Sequence, residues 1–441
     1  LSRNLCVFSK PFEPQSTDLL PREAIYKKLD RFQTLHGVWI HGPAGAGKTA
    51  ATVGYLQARQ TAYVWYQVDV MDVKVGIFFR NLAQLADEPA TKHSIELPVY
   101  DDQAAGSLSS FCGQFFSQFF ELFNKPIAMV FDNLHEVDEN ADLYTALHVA
   151  CDIAPEHVGF YFLSRLAPHK KFTRYHLSNQ LGVIYWQDLR FALEETRLLA
   201  ATVDRDGVVA AELVDQIHHR TDGWAAMVRM WLQHCAMGLE NPQSCGNSIP
   251  KVILFYLEAE LFDPLSQADQ QFLLATAILP FISSETVQSA VDFSNVDETM
   301  SRLCKKQILV SHPSSNYQYH QLFREFLLQK AQEATEPKAA KEISSKAIGS
   351  FLSQGCYGEA LEVISRTENQ ENIARTIVAQ VIDRLFDGNF KSLAKALEPL
   401  GEDDTAADPW LTLIHAIRWM KLDVSLCKRL LEKSYEAFAQ S

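Results

Sequence analysis

Over the first 190 residues, short apolar runs alternate with stretches in which apolar side chains recur every three or four positions. The runs at 37–40, 62–67, 127–131 and 158–164 have strand length and almost no polar face, whereas 48–59, 75–86, 107–123 and 142–151 carry the helical period. Strands apolar on both faces and separated by helices predict a parallel sheet covered on either side. Ahead of the first strand, 19–35 reads as a helix, with Pro21 at its first position and Leu29, Phe32 and Leu35 at helical spacing. The segment 87–106 fits neither period and holds Pro89 and Pro98, so a long connection is expected there.

From about 191 the pattern becomes helical, through 191–199, 210–220 and 223–235. Gly, Asn, Ser and Pro concentrate in 240–250, which reads as a boundary, and 251–307 is again helical. Two short segments, 308–311 and 317–320, flank Pro313-Ser314-Ser315-Asn316 and predict a β-hairpin, which after helices suggests a winged helix. Beyond Phe323 the chain reads as helix throughout. Tight junctions at 351–361 and 385–390 lie about 33 residues apart, the spacing of stacked helical hairpins, with an irregular bundle as the alternative.

Composition narrows the class. A 441-residue chain exceeds one ordinary core, and 47% hydrophobic with 21% charged residues describes a folded soluble protein of about three or four domains. The formal charge of −14 and the lack of a long basic run argue against nucleic acid being gripped by this segment. The expected hairpin has no Lys or Arg between Ile308 and Gln321, which counts against DNA binding there. Eight cysteines without a CxxC pair read as reduced, mostly buried thiols. No stretch has membrane-span length and no signal peptide opens the chain, so a cytoplasmic location without a membrane partner is expected. The chain starts without Met and ends within the helix-like 430–440, as a fragment of a longer protein would.

The chemistry is concentrated in Gly42-Pro43-Ala44-Gly45-Ala46-Gly47-Lys48-Thr49, directly after the apolar 38–40. This is a P-loop: the backbone from Gly42 through Gly45, Ala46 and Gly47 to Ala50 can wrap phosphates with its N–H groups. Lys48 can reach the β- and γ-phosphates, and the Thr49 hydroxyl can hold Mg²⁺. About 80 residues later the run 127–131 ends in Asp132, a carboxylate for the metal at the C-terminal edge of the sheet. Asn133 stands where a second acid would deprotonate water, and an amide cannot take a proton. Glu136 and Asp138, in the same loop, could substitute, or belong to a solvated acidic loop. Turnover is expected to be slow or absent. Arg165, after the strand at 158–164, could report a γ-phosphate or simply face solvent. His320, at the end of the wing, could bond a β-phosphate when the wing folds over ADP, or serve packing alone. His218 and His219 read as surface residues.

Taken in order, the P-loop, Asp132-Asn133-Leu134-His135-Glu136-Val137, Leu163-Ser164-Arg165, Thr221-Asp222-Gly223-Trp224-Ala225-Ala226 and Tyr319-His320-Gln321-Leu322-Phe323-Arg324-Glu325-Phe326-Leu327 resemble the MalT-type ATP-dependent transcriptional regulators of the STAND class of signal-transduction ATPases. The resemblance runs from about residue 10 to 441. It implies a multidomain α/β plus α chain: a P-loop NTPase parallel-sheet domain at 1–190, a small helical domain at 191–250, a winged-helix domain at 251–335 and the start of an α-helical repeat arm at 336–441. It also implies ADP in a closed resting state, ATP with Mg²⁺ in an active self-associating state, a small-molecule or protein inducer on the arm, and DNA contacted through a LuxR-type domain absent from this chain. Matching residues put Lys48 and Thr49 at phosphates and Mg²⁺, Asp132 at the metal, Arg165 at the sensor position, His320 at the ADP-sensing position and Arg22 beside the nucleotide. Asn133 departs from the family's usual acid pair. Two other readings remain open: an AAA-like remodelling ATPase, and a scaffold that holds a permanent nucleotide.

Overall fold

The computed structural model describes residues 6–8, 19–86, 97–101, 107–139, 141–204, 207, 209–237, 248–291, 293, 295–311, 316–334, 337–354, 356, 359–360, 362–363, 366, 409, 412–413, 416, 419 and 424–440. The chain folds as two compact units, Leu1–Leu261 with Lys305–Gln307, and Phe262–Cys304 with Ile308–Ser441.

Six parallel strands organise the first unit. They are β1 (Cys6–Phe8), β2 (Gly37–His41), β3 (Ala62–Gln67), β4 (Ile127–Asp132), β5 (Val158–Ser164) and β6 (Leu181–Ile184), in the order β1-β3-β4-β5-β2-β6. The four strands legible as apolar runs are the interior ones. Edge strands β1 and β6 have only three and four residues, too few for a period to register. Helices α1 (Glu23–Asp30), α2 (Lys48–Ala58), α3 (Val75–Ala86), α4 (Leu108–Glu121) and α5 (Asp142–Ile153) lie where the helical period placed them. The first is shorter than expected. Its ladder begins with the Tyr26 N–H bonding the Arg22 carbonyl, so Glu23 rather than Pro21 opens the helix, and Leu35 lies in the turn that follows.

The core on one face of this sheet is aromatic. Phe78 and Phe79 of α3 and Phe115, Phe116, Phe119 and Phe120 of α4 meet Phe131, Phe160 and Phe162 of the sheet. Phe79 and Phe115 lie 4.8 Å apart, while Phe131 stacks on both Phe160 and Phe162. Large rigid rings bury much area at little entropic cost, which fixes the end of β4 and the acid that follows Phe131.

Short helices α6 (Thr173–Leu177) and α7 (Trp186–Leu189) flank β6, and α8 (Leu193–Val203), α9 (Ala211–Thr221), α10 (Ala225–Ala236) and α11 (Lys251–Leu257) complete the unit. The helix α11 continues into a single π turn at Glu258–Phe262. Two expectations from the sequence do not hold. Cys235 is disulfide-bonded, so the thiols are not all reduced, although Cys112, Cys151, Cys304, Cys356 and Cys427 are free. His218 is half-buried and its Nδ1 lies 2.8 Å from the hydroxyl of buried Thr196, so it is not a surface residue. Most of the 240–250 boundary lies outside the described residues.

In the second unit, α12 (Gln267–Thr276), α13 (Ser284–Ala290) and α14 (Val296–Lys305) precede the antiparallel hairpin β7 (Leu309–Ser311) and β8 (Tyr317–Tyr319), followed by α15 (Gln321–Ala334) and α16 (Pro337–Ser353). Polar clamps tie these short elements together. Arg302 forks onto Asp269, which is 1% exposed, and Arg324 donates to the carbonyls of Ala277 and Ile278 while pairing with Glu362. Phe351 of α16 packs edge-on against Phe281. A helix spans Val424–Gln440, but the junction expected at 385–390 lies outside the described residues. No helix among the described residues is long and apolar enough to cross a membrane.

Candidate functional site

Parallel strands place all their C-terminal ends on one edge of a sheet, so the loops that follow β2, β4 and β5 must meet. Register makes this concrete: His41 pairs with Ser164 and Phe131 with Phe162, and the Gly42 N–H reaches the Ser164 carbonyl at 3.3 Å. The loop after β2 is the P-loop. Its backbone turns through Gly45 (φ 66°) and Gly47 (φ 87°), the latter capping α2. At Gly45 a side chain is excluded twice over, by the left-handed backbone and because a Cβ would stand 2.5 Å from Ala226 Cβ and 2.7 Å from the Tyr256 hydroxyl.

Lys48 is buried and donates to the carbonyls of Gly42 (2.8 Å) and Pro43 (2.9 Å), so its ammonium lies along the loop that would hold an anion. Burial lowers its pKa to about 8, with Arg165 acting in the same direction and Asp132 opposing. The Thr49 hydroxyl donates to Asp132 Oδ2 at 2.9 Å, and the Asn133 N–H donates to Asp132 Oδ1 at 2.9 Å. Burial pushes the Asp132 carboxyl up, against these hydrogen bonds and the Lys48 charge. Two adjacent hard oxygen donors fit Mg²⁺, which takes one or two protein oxygens and fills its octahedron with phosphate oxygens and water. No group of three or more His, Cys, Asp or Glu among the described residues is placed to hold a metal ion.

A cavity of about 420 Å³ opens on this edge. Its wall includes Gly45, Ala46, Gly47, Lys48, Thr49, Ala50, Arg22 and Arg165 from the sequence expectations. Gly42 and Asp132 lie behind this wall, joined to it through Lys48 and Thr49. Glu136 is not on the wall; Asn133 and His135 are. Asn133 adopts a left-handed backbone (φ 64°), which turns the chain into the 3₁₀ turn Leu134–Glu136. Neither ring nitrogen of His135 has a hydrogen-bond partner among the described residues, and burial lowers its pKa to about 3, keeping the imidazole neutral. His41, buried at the end of β2, is likewise held near 4 by burial and by the Lys48 charge.

The wall opposite the P-loop comes from the helical region, and this was not read from the sequence. The Trp224 indole donates to the Ala44 carbonyl at 3.0 Å and the Ala226 N–H to the Gly45 carbonyl at 3.0 Å, so the start of α10 clamps the P-loop. The Gly-Trp-Ala string was visible, but a tryptophan at a helix start gives no sign of its distant acceptor. Arg22 is fully engaged with the same region: it forks onto Glu195, donates to the carbonyls of Leu189 and Arg190 and lies 4.6 Å from the Phe191 ring centre. Arg165 pairs with Glu260 at 2.8 Å. Phe191, Leu199, Arg229, Tyr256 and Glu260 also line the cavity, with no motif to announce them. His320 belongs to the second unit, where it is buried and its Nδ1 accepts the Leu322 N–H at 3.3 Å, ahead of α15.

Comparison with known proteins matches residues 258–340 to the MalT winged helix domain. The HTH-type transcriptional regulator MalT of Vibrio parahaemolyticus is 23% identical over 413 residues, covering 91% of this chain and 44% of the relative. The regulator of the same name from Vibrio campbellii is 22% identical with the same coverage, 91% and 44%. Among solved structures, a Walker-type ATPase of Pyrococcus abyssi superposes with a TM-score of 0.53 at 12% identity, over 72% of this chain and 98% of its own. That likeness concerns the fold. The chain spans about 44% of the length of the curated relatives it matches.

Proposed function

We propose, for a chain that is MalT-like over 91% of its length, that it is the nucleotide-reading part of a regulatory switch, with ADP in the resting state and ATP with Mg²⁺ in the active one. The observation that carries this reading is the make-up of the cavity wall. One side is the P-loop with Lys48 and Thr49; the other is Phe191, Ala226, Tyr256 and Glu260 of the helical region. A ligand that touches two parts of a molecule shifts their equilibrium by its differential affinity for the two arrangements.

In this reading Lys48 binds the β- and γ-phosphates, the P-loop N–H groups hold the rest of the polyphosphate, and Thr49 with Asp132 takes Mg²⁺, which neutralises phosphate charge. Arg165 reads the terminal phosphate. Hydrolysis is slow, because Asn133 and the neutral His135 face the cavity where a carboxylate base would be needed, and the one carboxylate on the described wall, Glu260, is engaged by Arg165. Domain limits at 190, 250 and 335 are part of the proposal. So are an inducer on residues 336–441, self-association of the ATP form, and transcriptional output through a further DNA-binding domain, all resting on likeness to relatives whose names carry the transcriptional role.

The test is to denature the purified 441-residue chain and identify released nucleotide by ion-pair chromatography. Near-stoichiometric ADP, exchangeable for ATP and missing from Lys48→Ala, is expected. An empty site that takes up neither nucleotide overturns the reading, and rapid turnover would favour the remodelling ATPase.

A further inference from the structure

Glu260 is a carboxylate on the wall of a cavity built for an anion, and that is an unfavourable place for it. Its Oε2 accepts from Arg165 Nη2 at 2.8 Å, and its backbone carbonyl accepts from Nη1 of the same guanidinium at 3.3 Å. Both residues line the P-loop cavity. The pair is partly open to water, with side chains 32% and 41% exposed, so its partners can be exchanged without unfolding anything. Glu260 also sits within the π turn Glu258–Phe262, a helical irregularity that recurs at functional positions. Two residues beyond it, at Phe262, the chain enters the second unit, and the winged-helix match begins at 258.

We propose that Glu260 sets the preference of this site between nucleoside diphosphate and triphosphate. This rests on the nucleotide reading above. With a diphosphate bound, Arg165 keeps Glu260 as its anion. A terminal phosphate competes for the same guanidinium with greater negative charge, and it brings that charge toward the carboxylate it displaces. ATP must therefore break the Arg165–Glu260 pair and meet a like charge, whereas ADP meets neither cost. Once released, Glu260 leaves its hold on the sheet edge at the point where the chain passes into the winged-helix segment.

The experiment measures dissociation constants of Mg-ATP and of ADP for the full chain and for Glu260→Gln at low and high salt. The expected result is a shift of the ATP:ADP affinity ratio toward ATP by about fivefold or more in Glu260→Gln, the lower end of ordinary coupling between sites, shrinking as salt is raised. Glu260→Lys should move the ratio further in the same direction. Binding of both nucleotides by the wild type with a ratio unchanged in both variants overturns the role of Glu260 and leaves the nucleotide reading standing. Failure of the wild type to bind either nucleotide overturns both.

Discussion

The sheet of the first unit and the hairpin region of the second both bury apolar side chains, but they differ in how much strand stands within that packing. In the first, strands of up to seven residues are buried on both faces and the rings of α3 and α4 fill the space behind them. In the second, two three-residue strands are flanked by helices that bury Phe272, Leu273, Leu303, Leu322 and Leu327, and charged clamps on Asp269 and on the Ala277 and Ile278 carbonyls add to that packing. A phosphate cradle needs fixed backbone, which dense apolar packing supplies. In the second unit the polar clamps add to apolar burial, so the two kinds of contact can be removed separately.

The sharpest way to break the contrast is to remove one ring. Phe131→Ala removes one ring from the cluster it forms with Phe160 and Phe162 and should cost about 3–5 kcal/mol of first-unit stability in denaturant unfolding. Because Phe131 immediately precedes Asp132, nucleotide affinity should fall with it. In the second unit the corresponding cut is electrostatic. Arg302→Ala leaves the buried Asp269 carboxylate without its guanidinium and should cost about 3 kcal/mol at neutral pH. Asp269→Asn combined with Arg302→Ala should recover part of that loss, since the penalty comes from the stranded charge. Equal losses in the single and double variants would show that the clamp acts through packing instead.

What could be read in advance follows the same division. Apolar runs and the P-loop are local patterns, so strands β2 to β5, their order along the chain and the residues Lys48, Thr49 and Asp132 were legible. Edge strands of three and four residues were not, nor the short helices beside β6. The far wall of the cavity was illegible for another reason. Trp224 reaches Ala44 across 180 residues and Glu260 reaches Arg165 across 95, and nothing local to either distinguishes it from a surface aromatic or a solvated acid. Glu136 stands out in the sequence as an acid in the loop after Asp132, whereas the turn that begins at Asn133 brings His135 to the wall instead. Fold was therefore carried by pattern, and half of the site by tertiary contacts that pattern does not encode.

Lys48→Ala separates binding from stability. It should weaken either nucleotide by about 100-fold, equivalent to about 2.7 kcal/mol, while the unfolding of the second unit stays unchanged. A loss of second-unit stability in this variant would contradict the separate roles assigned to the two regions. For His320 we propose contact with the β-phosphate of ADP. His320→Ala is then expected to weaken ADP by about tenfold, the scale of one charge-assisted hydrogen bond, and to raise the fraction of self-associated chain in sedimentation. Unchanged ADP affinity with an unchanged monomer fraction would sink that contact and confine His320 to the start of α15.

The smallest expected effect comes from the protons of the cradle. Lys48 in the free protein titrates near pH 8, because burial disfavours its charge, well below an ordinary lysine. The bound phosphates favour the charged form, so nucleotide affinity should be full below pH 7 and fall as pH rises through 8, by about fourfold between pH 7 and 8.5. Nucleotide phosphates are already ionised across this range and contribute little to the slope. His41 and His135, held near 4 and 3, stay neutral throughout and cannot supply the trend. For unfolding the sign is opposite. The folded pKa of Lys48 lies below its unfolded value of 10.5, so the unfolded chain binds more protons between about pH 8 and 10.5, and this group alone makes the first unit relatively more stable as pH rises through that window. Affinity that weakens while the apo fold gains resistance to denaturant would place both effects on Lys48. Affinity flat from pH 7 to 9 would mean that the ammonium is not taking the phosphate.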